Sequence, residues 1–116
     1  MAIIDKPSDF FNTKLYTGNA GTNNITGVGF QPDWVWLKDR TNANSSRIND
    51  IVRGSTKYLI SSTTGAEATE SAGLTSFNSD GFSLGSNSDF NGNSANFASW
   101  NWKAGTSFTN DASATG

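Results

Sequence analysis

The chain has ten Asp and Glu side chains but no His and no Cys, so carboxylates are its only candidates for acid–base chemistry. Without an imidazole or a thiol there is no Ser-His-Asp or Cys-His nucleophile and no ordinary general base near neutral pH. Zinc sites of the histidine or cysteine kind are excluded as well. A carboxylate pair remains conceivable, as in glycoside hydrolysis, where an acid and a base or nucleophile stand at a defined separation. Glu67 and Glu70 are three apart, and Asp80 and Asp89 lie in turn-forming sequence. Nothing in the pattern holds two of them at a fixed distance. They read as solvated surface charge, and the chain reads as a non-enzyme without a cofactor.

Residue types that bind are better represented. In Trp34-Val35-Trp36-Leu37 alternate side chains point to opposite faces of a strand, which puts the two Trp on one face and Val35 with Leu37 on the other. Both faces are apolar, so one should hold the core while the other is covered by a loop, another chain or a ligand. Cover from within the chain is the simplest expectation. The segment Phe97-Ala98-Ser99-Trp100-Asn101-Trp102 repeats the pattern. Its Trp100 and Trp102 are expected to interleave with the first pair in the core, because large aromatics must supply much of the burial in a chain this small. The alternative is a platform of exposed indoles for sugar rings.

Two polar stretches add candidates. Residues 42–49 contain Asn42, Asn44 and Arg47, a loop suited to specific contact. The run Asn87 to Asn93 offers oxygen groups at Asp89 and Asn91 before a glycine. Its spacing departs from the EF-hand form and no Glu follows, so it reads as a turn and no metal is expected. The candidate contact residues are therefore Trp34, Trp36, Asn42, Asn44, Arg47, Asp89 and Asn91. Lys38, Arg40, Arg47, Arg53 and Lys57 are scattered, and read as partners of Asp33, Asp39 and Asp50 more than as an anion site.

The elements that carry these residues are strands. Gly, Ser, Thr and Asn interrupt the sequence every few residues, and no long stretch has a helical apolar period. Short runs rich in aromatic or β-branched residues occur at 10–17, 23–28, 33–38, 57–61, 74–77, 81–85 and 96–103. Their spacing is that of an antiparallel β-sandwich or jelly roll. Asp80-Gly81 between Phe77 and Phe82 marks a tight hairpin. Segment 63–73 holds the best helix formers and is expected to give at most one short helical turn. Pro32, which lacks a ladder amide, places the start of a central strand at Asp33.

A chain of 116 residues with 34% apolar content fits one domain. Residues 1–9 read as an N-terminal arm, 10–105 as the sandwich and 106–116 as a linker-like tail. Charge is nearly balanced, at eight basic against ten acidic residues, so nothing is available to neutralise a phosphate backbone or anchor to an anionic membrane. Neither a signal peptide nor an apolar run of spanning length is present.

The run Tyr16-Thr17-Gly18-Asn19, then Ile25 through Arg40, is followed by Asp50-Ile51-Val52-Arg53-Gly54-Ser55-Thr56-Lys57-Tyr58-Leu59, by Leu74 through Gly85, and by Ala98-Ser99-Trp100-Asn101-Trp102-Lys103-Ala104. In that order these segments resemble a domain of virion proteins of tailed bacteriophages, often marine ones. The resemblance implies a concanavalin A-like sandwich that serves as a tail-fibre or particle-surface subunit. It would be made in the host cytoplasm without Sec secretion, and its partners would be copies of itself and other virion proteins. Adhesion to a host surface glycan is the alternative role. The resemblance brings no catalytic motif.

Overall fold

The computed structural model describes residues 6–104. After a single turn of 3-10 helix at Pro7–Asp9, the chain forms β1 (Phe11–Thr17), β2 (Asn23–Ile25), β3 (Trp34–Asp39), β4 (Arg47–Asp50), β5 (Lys57–Ile60), β6 (Ala68–Thr69), β7 (Leu74–Asn78) and β8 (Gly81–Leu84). A four-residue helix, α1 (Ser88–Asn91), and the long β9 (Asn96–Trp102) complete it. The strands make two antiparallel sheets, one of six in the order β1-β9-β3-β4-β5-β6 and one of three in the order β2-β8-β7. The molecule is an all-β sandwich, as its period-2 patterning implied.

The core lies between the sheets. Val35 and Leu37 from β3 pack with Ile25, Leu74, Phe82, Leu84 and Phe90, and with the partly buried Tyr16, Tyr58 and Phe77. Removing each large side chain from water stabilises the fold by roughly 1.5–3 kcal/mol. Tyr16 stacks on Phe97 at 5.1 Å with nearly parallel rings. Its hydroxyl donates to the Phe90 carbonyl at 2.8 Å, which satisfies the one polar atom that burial would otherwise penalise.

Strand register decides where the tryptophans go. Trp34 pairs with Trp102 and Trp36 with Trp100, so all four share one face of the six-stranded sheet. That face is the outer one, because Val35, Leu37 and Phe97, the opposite parity of the same strands, are fully buried against the second sheet. The expectation that Trp100 and Trp102 interleave in the core is therefore corrected. Phenyl and aliphatic groups fill the layer, and the inner positions beside them are polar. Asn101 donates from Nδ2 to the Asn12 carbonyl at 3.1 Å and to Ser99 Oγ at 3.0 Å, and Ser99 Oγ donates to the Lys14 carbonyl at 3.0 Å. These bonds tie β9 to the β1 edge.

Several local expectations change. The strand expected at 23–28 stops at Ile25, because Gly27 and Gly29 both take positive φ and turn the chain away. Residues 42–49 are not all loop, since Arg47–Asp50 is a strand paired with β3 and β5. Segment 63–73 forms no helix and contributes the short strand β6. The helix lies instead at Ser88–Asn91, where the Asn87 side chain caps the Asp89 amide. The hairpin at 78–81 stands, with Ser79 and Asp80 as its loop and Gly81 opening β8. A Cβ at Gly81 would sit 1.9 Å from the Ile25 carbonyl oxygen, so only glycine fits there. Most of the expected N-terminal arm and all of the 106–116 tail lie outside the described residues.

Candidate functional site

The outer face of the six-stranded sheet carries Phe11, Thr13 and Leu15 from β1, Ala98, Trp100 and Trp102 from β9, Trp34, Trp36 and Lys38 from β3, and Ile48 from β4. The three-stranded sheet and α1 pack on the other side, through Phe82, Leu84 and Phe90. The outer face is thus not part of the sandwich core, and its four indoles are only half-buried. They stand at angles to one another. Trp34 and Trp102 are 4.4 Å apart and tilted by 38°, Trp34 and Trp36 are 6.3 Å apart at 54°, and Trp36 and Trp100 are 6.4 Å apart at 67°.

Two concavities interrupt this face. The larger, about 690 Å³, opens at one end between Trp34, Trp102, Lys103 and Ala104 on one side and Ile51 and Val52 on the other, with Asp33 in its wall. Asp33 fixes both sides. Its carbonyl accepts from the Ile51 amide at 2.9 Å and its carboxylate accepts from the Ala104 amide at 2.7 Å. The turn that carries Ile51 and Val52 is clamped again from behind. Asp50 accepts from the Arg53 amide at 2.8 Å and from its guanidinium at 2.9 Å, and Arg53 also pairs with Glu67 at 3.0 Å.

Val52 is nevertheless 92% exposed, and Ile51, Phe10 and Phe11 are exposed as well. Phe11 lies against Trp102 at 4.9 Å, which makes the apolar end of the face continuous. The turn thus presents two apolar side chains to water while hydrogen bonds and ion pairs hold its flanks. The smaller concavity, about 200 Å³, is a notch between Trp36, Trp100 and Trp102.

The candidates from the sequence separate into two groups. Trp34 and Trp36 lie on the exposed face. Asn42, Asn44, Arg47, Asp89 and Asn91 all bond within the chain; Arg47 and Asn91 are buried, Asn44 and Asp89 partly so, and Asn42 is exposed. Asp39 is buried, and its carboxylate accepts from the amides of Thr41 and Asn42 and from the side-chain amides of Asn42 and Asn44, at 2.9 to 3.0 Å. Burial alone would raise its pKa, but these bonds, led by those from Asn42, outweigh it and hold the group below its ordinary value. Arg47 reaches Asp89 at 2.6 Å and lies over the Tyr58 ring. Asn91 is fully buried and joins Asn19, Gly21, Asn23 and Gly85. The expected pairing of Asp50 holds, with Arg53; Asp33 and Asp39 are instead held by backbone and side-chain amides.

The sequence reading missed Ile51, Val52 and Phe11. Ile51-Val52 sits between Asp50 and Arg53, and the charged flanks resemble any surface turn; only the clamped geometry marks it. Asp80 was also missed as a staple. Its carboxylate accepts from the Gly27 amide at 2.9 Å and the Gly29 amide at 2.7 Å, and these bonds lower its pKa. Glu67 is in the Arg53 cluster and Glu70 bonds the Ala72 amide, so the two glutamates have separate structural partners. Among the described residues no three Asp or Glu side chains converge as metal ligands.

Comparison with known proteins adds one match. The model of a family described as a domain of unknown function (DUF7483) covers residues 6–115. No curated protein and no solved structure matches the chain.

Proposed function

The chain belongs to the DUF7483 family, whose model spans nearly all of it, and from the geometry above we propose that it is a structural subunit of a bacteriophage particle that works by protein–protein packing. The observation that carries the packing role is the clamped, exposed apolar turn Ile51–Val52 beside Trp34 and Trp102. The particle itself is suggested by the resemblance of the sequence to tailed-phage virion domains. Its neighbours would be copies of the same chain or other virion proteins, and its place the tail fibre or the particle surface.

Packing is favoured over catalysis because, among the described residues, the Asp and Glu side chains are tied to amides, to guanidinium groups or, for Asp9, to the Lys6 ammonium. It is favoured over glycan recognition because the indoles at this end of the face adjoin the apolar side chains of Phe11, Ile51 and Val52. Sugar hydroxyls would also need hydrogen-bonding partners beside the stacked ring. Sedimentation across a concentration series, together with mass spectrometry of purified particles, tests the proposal. Association that Val52→Asp weakens, with the chain present in particles, is the expected result. A strict monomer that is absent from particles would end it.

A further inference from the structure

Of the strands that end the two sheets, all but one are blunted. β6 has two residues, β2 has three, and β7 is bulged between Leu74 and Ser76. Short or bulged edges discourage pairing with another chain. β1 is different. It runs for seven residues in unbroken register with β9 and contains no proline. Its one charged side chain, Lys14, turns to the inner side, where the ammonium lies 3.0 Å from the point that a Cβ on Gly27 would occupy. No charge guards the outer side of this edge.

The ladder with β9 decides which backbone groups of β1 remain. The Phe10 carbonyl accepts from the Lys103 amide at 2.7 Å, and the Gly18 amide donates to the Ala95 carbonyl at 2.8 Å. Even-numbered residues therefore face β9, and the N–H and C=O of Phe11, Thr13 and Leu15 face outward. Among the described residues only the Thr13 amide of this set is engaged, by the Asn12 side chain at 3.0 Å. The side chains of the same three residues lie on the outer face, where Leu15 is 58% and Phe11 37% exposed. Free ladder groups beside exposed apolar side chains are a template for one more strand.

The sequence of β1 is complementary to itself. Set antiparallel with Thr13 opposite Thr13 of a second copy, the two strands place Phe11 opposite Leu15 at both ends on the outer face, and Asn12 opposite Lys14 on the inner one. Every outward-facing residue then falls in a hydrogen-bonded pair, about six bonds in all. A shift of two residues toward Thr17 would set Lys14 against Lys14 and would call on the Thr17 carbonyl, which already accepts from Asn23 at 3.1 Å. We infer that β1 pairs with β1 of a second copy about a two-fold axis at Thr13, joining two six-stranded sheets into one. It is a second contact, beyond the one at Ile51–Val52.

Sedimentation of the whole chain up to about 0.5 mM tests this, since an edge contact is small and weak. A dimer should form, and Leu15→Lys, a change at an exposed position that spares the fold, should weaken it at least tenfold. Val52→Asp should leave the dimer intact. The chain has no cysteine, so single-cysteine variants report the register. Thr13→Cys should cross-link to itself under mild oxidation, because Cα atoms across a hydrogen-bonded pair are about 5.5 Å apart. Leu15→Cys should not, its counterpart lying about 13 Å away along the ladder. A monomer throughout the concentration range, a dimer indifferent to Leu15→Lys, or cross-linking of Leu15→Cys as ready as that of Thr13→Cys would overturn the inference. A dimer lost in Val52→Asp and kept in Leu15→Lys would end it while the packing role stood. A Leu15-dependent dimer of a chain absent from particles would support it and end the particle role.

Discussion

Asp39 and Asn91 anchor, at the residue scale, loops that the strands alone would leave free. Asp39 folds residues 41–44 onto its carboxylate, and Asp80 does the same for the Gly27–Gly29 turn. Both carboxyl groups titrate below their ordinary value in the folded chain. A depressed pKa means that the folded state favours the charged form, so this stabilisation is present above the unfolded value of about 4 and is lost as pH falls through the folded one. Urea midpoints should therefore drop below about pH 4, and Asp39→Asn should flatten that acid limb.

Tyr16 is the opposite case. Its pKa is raised by burial and, secondarily, by the charge on Asp39. Stability should then fall as pH rises above about 10, a loss that Tyr16→Phe removes from the alkaline limb of the same titration. Asn91→Ala strands the Asn19, Gly21, Asn23 and Gly85 partners of a fully buried amide. It should cost about 3 kcal/mol in urea unfolding. None of these anchors was visible as such in the sequence. An Asn in a polar run looks the same whether it faces a ligand or a buried carboxylate, so the bonds of Asn42 and Asn44 to Asp39 could not be read from the sequence.

At the scale of the element, the alternation in β3 was legible and its direction was not. The spacing of Trp34, Val35, Trp36 and Leu37 separates two faces. Which of them becomes core depends on the register with β9 and on a second sheet that is remote in sequence. Strand β4 escaped notice because Arg47-Ile48-Asn49-Asp50 has a single apolar residue. Its Asn49 is buried only because its amide donates to the carbonyls of Ser55 and Lys57. The hairpin at Gly81 was legible because a glycine next to an Asp has few other uses. The two faces of β3 give a direct comparison. Leu37→Ala opens a cavity in the core and should cost about 3 kcal/mol, whereas Trp36→Thr, a β-favouring change on the outer face, should cost about 1 kcal/mol. Thermal and urea unfolding of the two variants measure the difference.

At the scale of the whole molecule, the sandwich closes its inner layer and leaves one broad aromatic face outside it. The end of that face at Phe11, Trp34, Ile51, Val52 and Trp102 is concave and apolar, and in the proposed particle it lies against a neighbour. Its attraction is apolar, so association should persist in high salt, unlike a contact made by exposed ion pairs. Hydroxyl-radical footprinting of intact particles against the isolated chain tests the packing role most directly. Phe11, Trp34, Ile51, Val52 and Trp102 should be modified in the isolated chain and protected in the particle, while side chains away from this end react alike in both. Equal modification of these five residues in particle and isolated chain would contradict it.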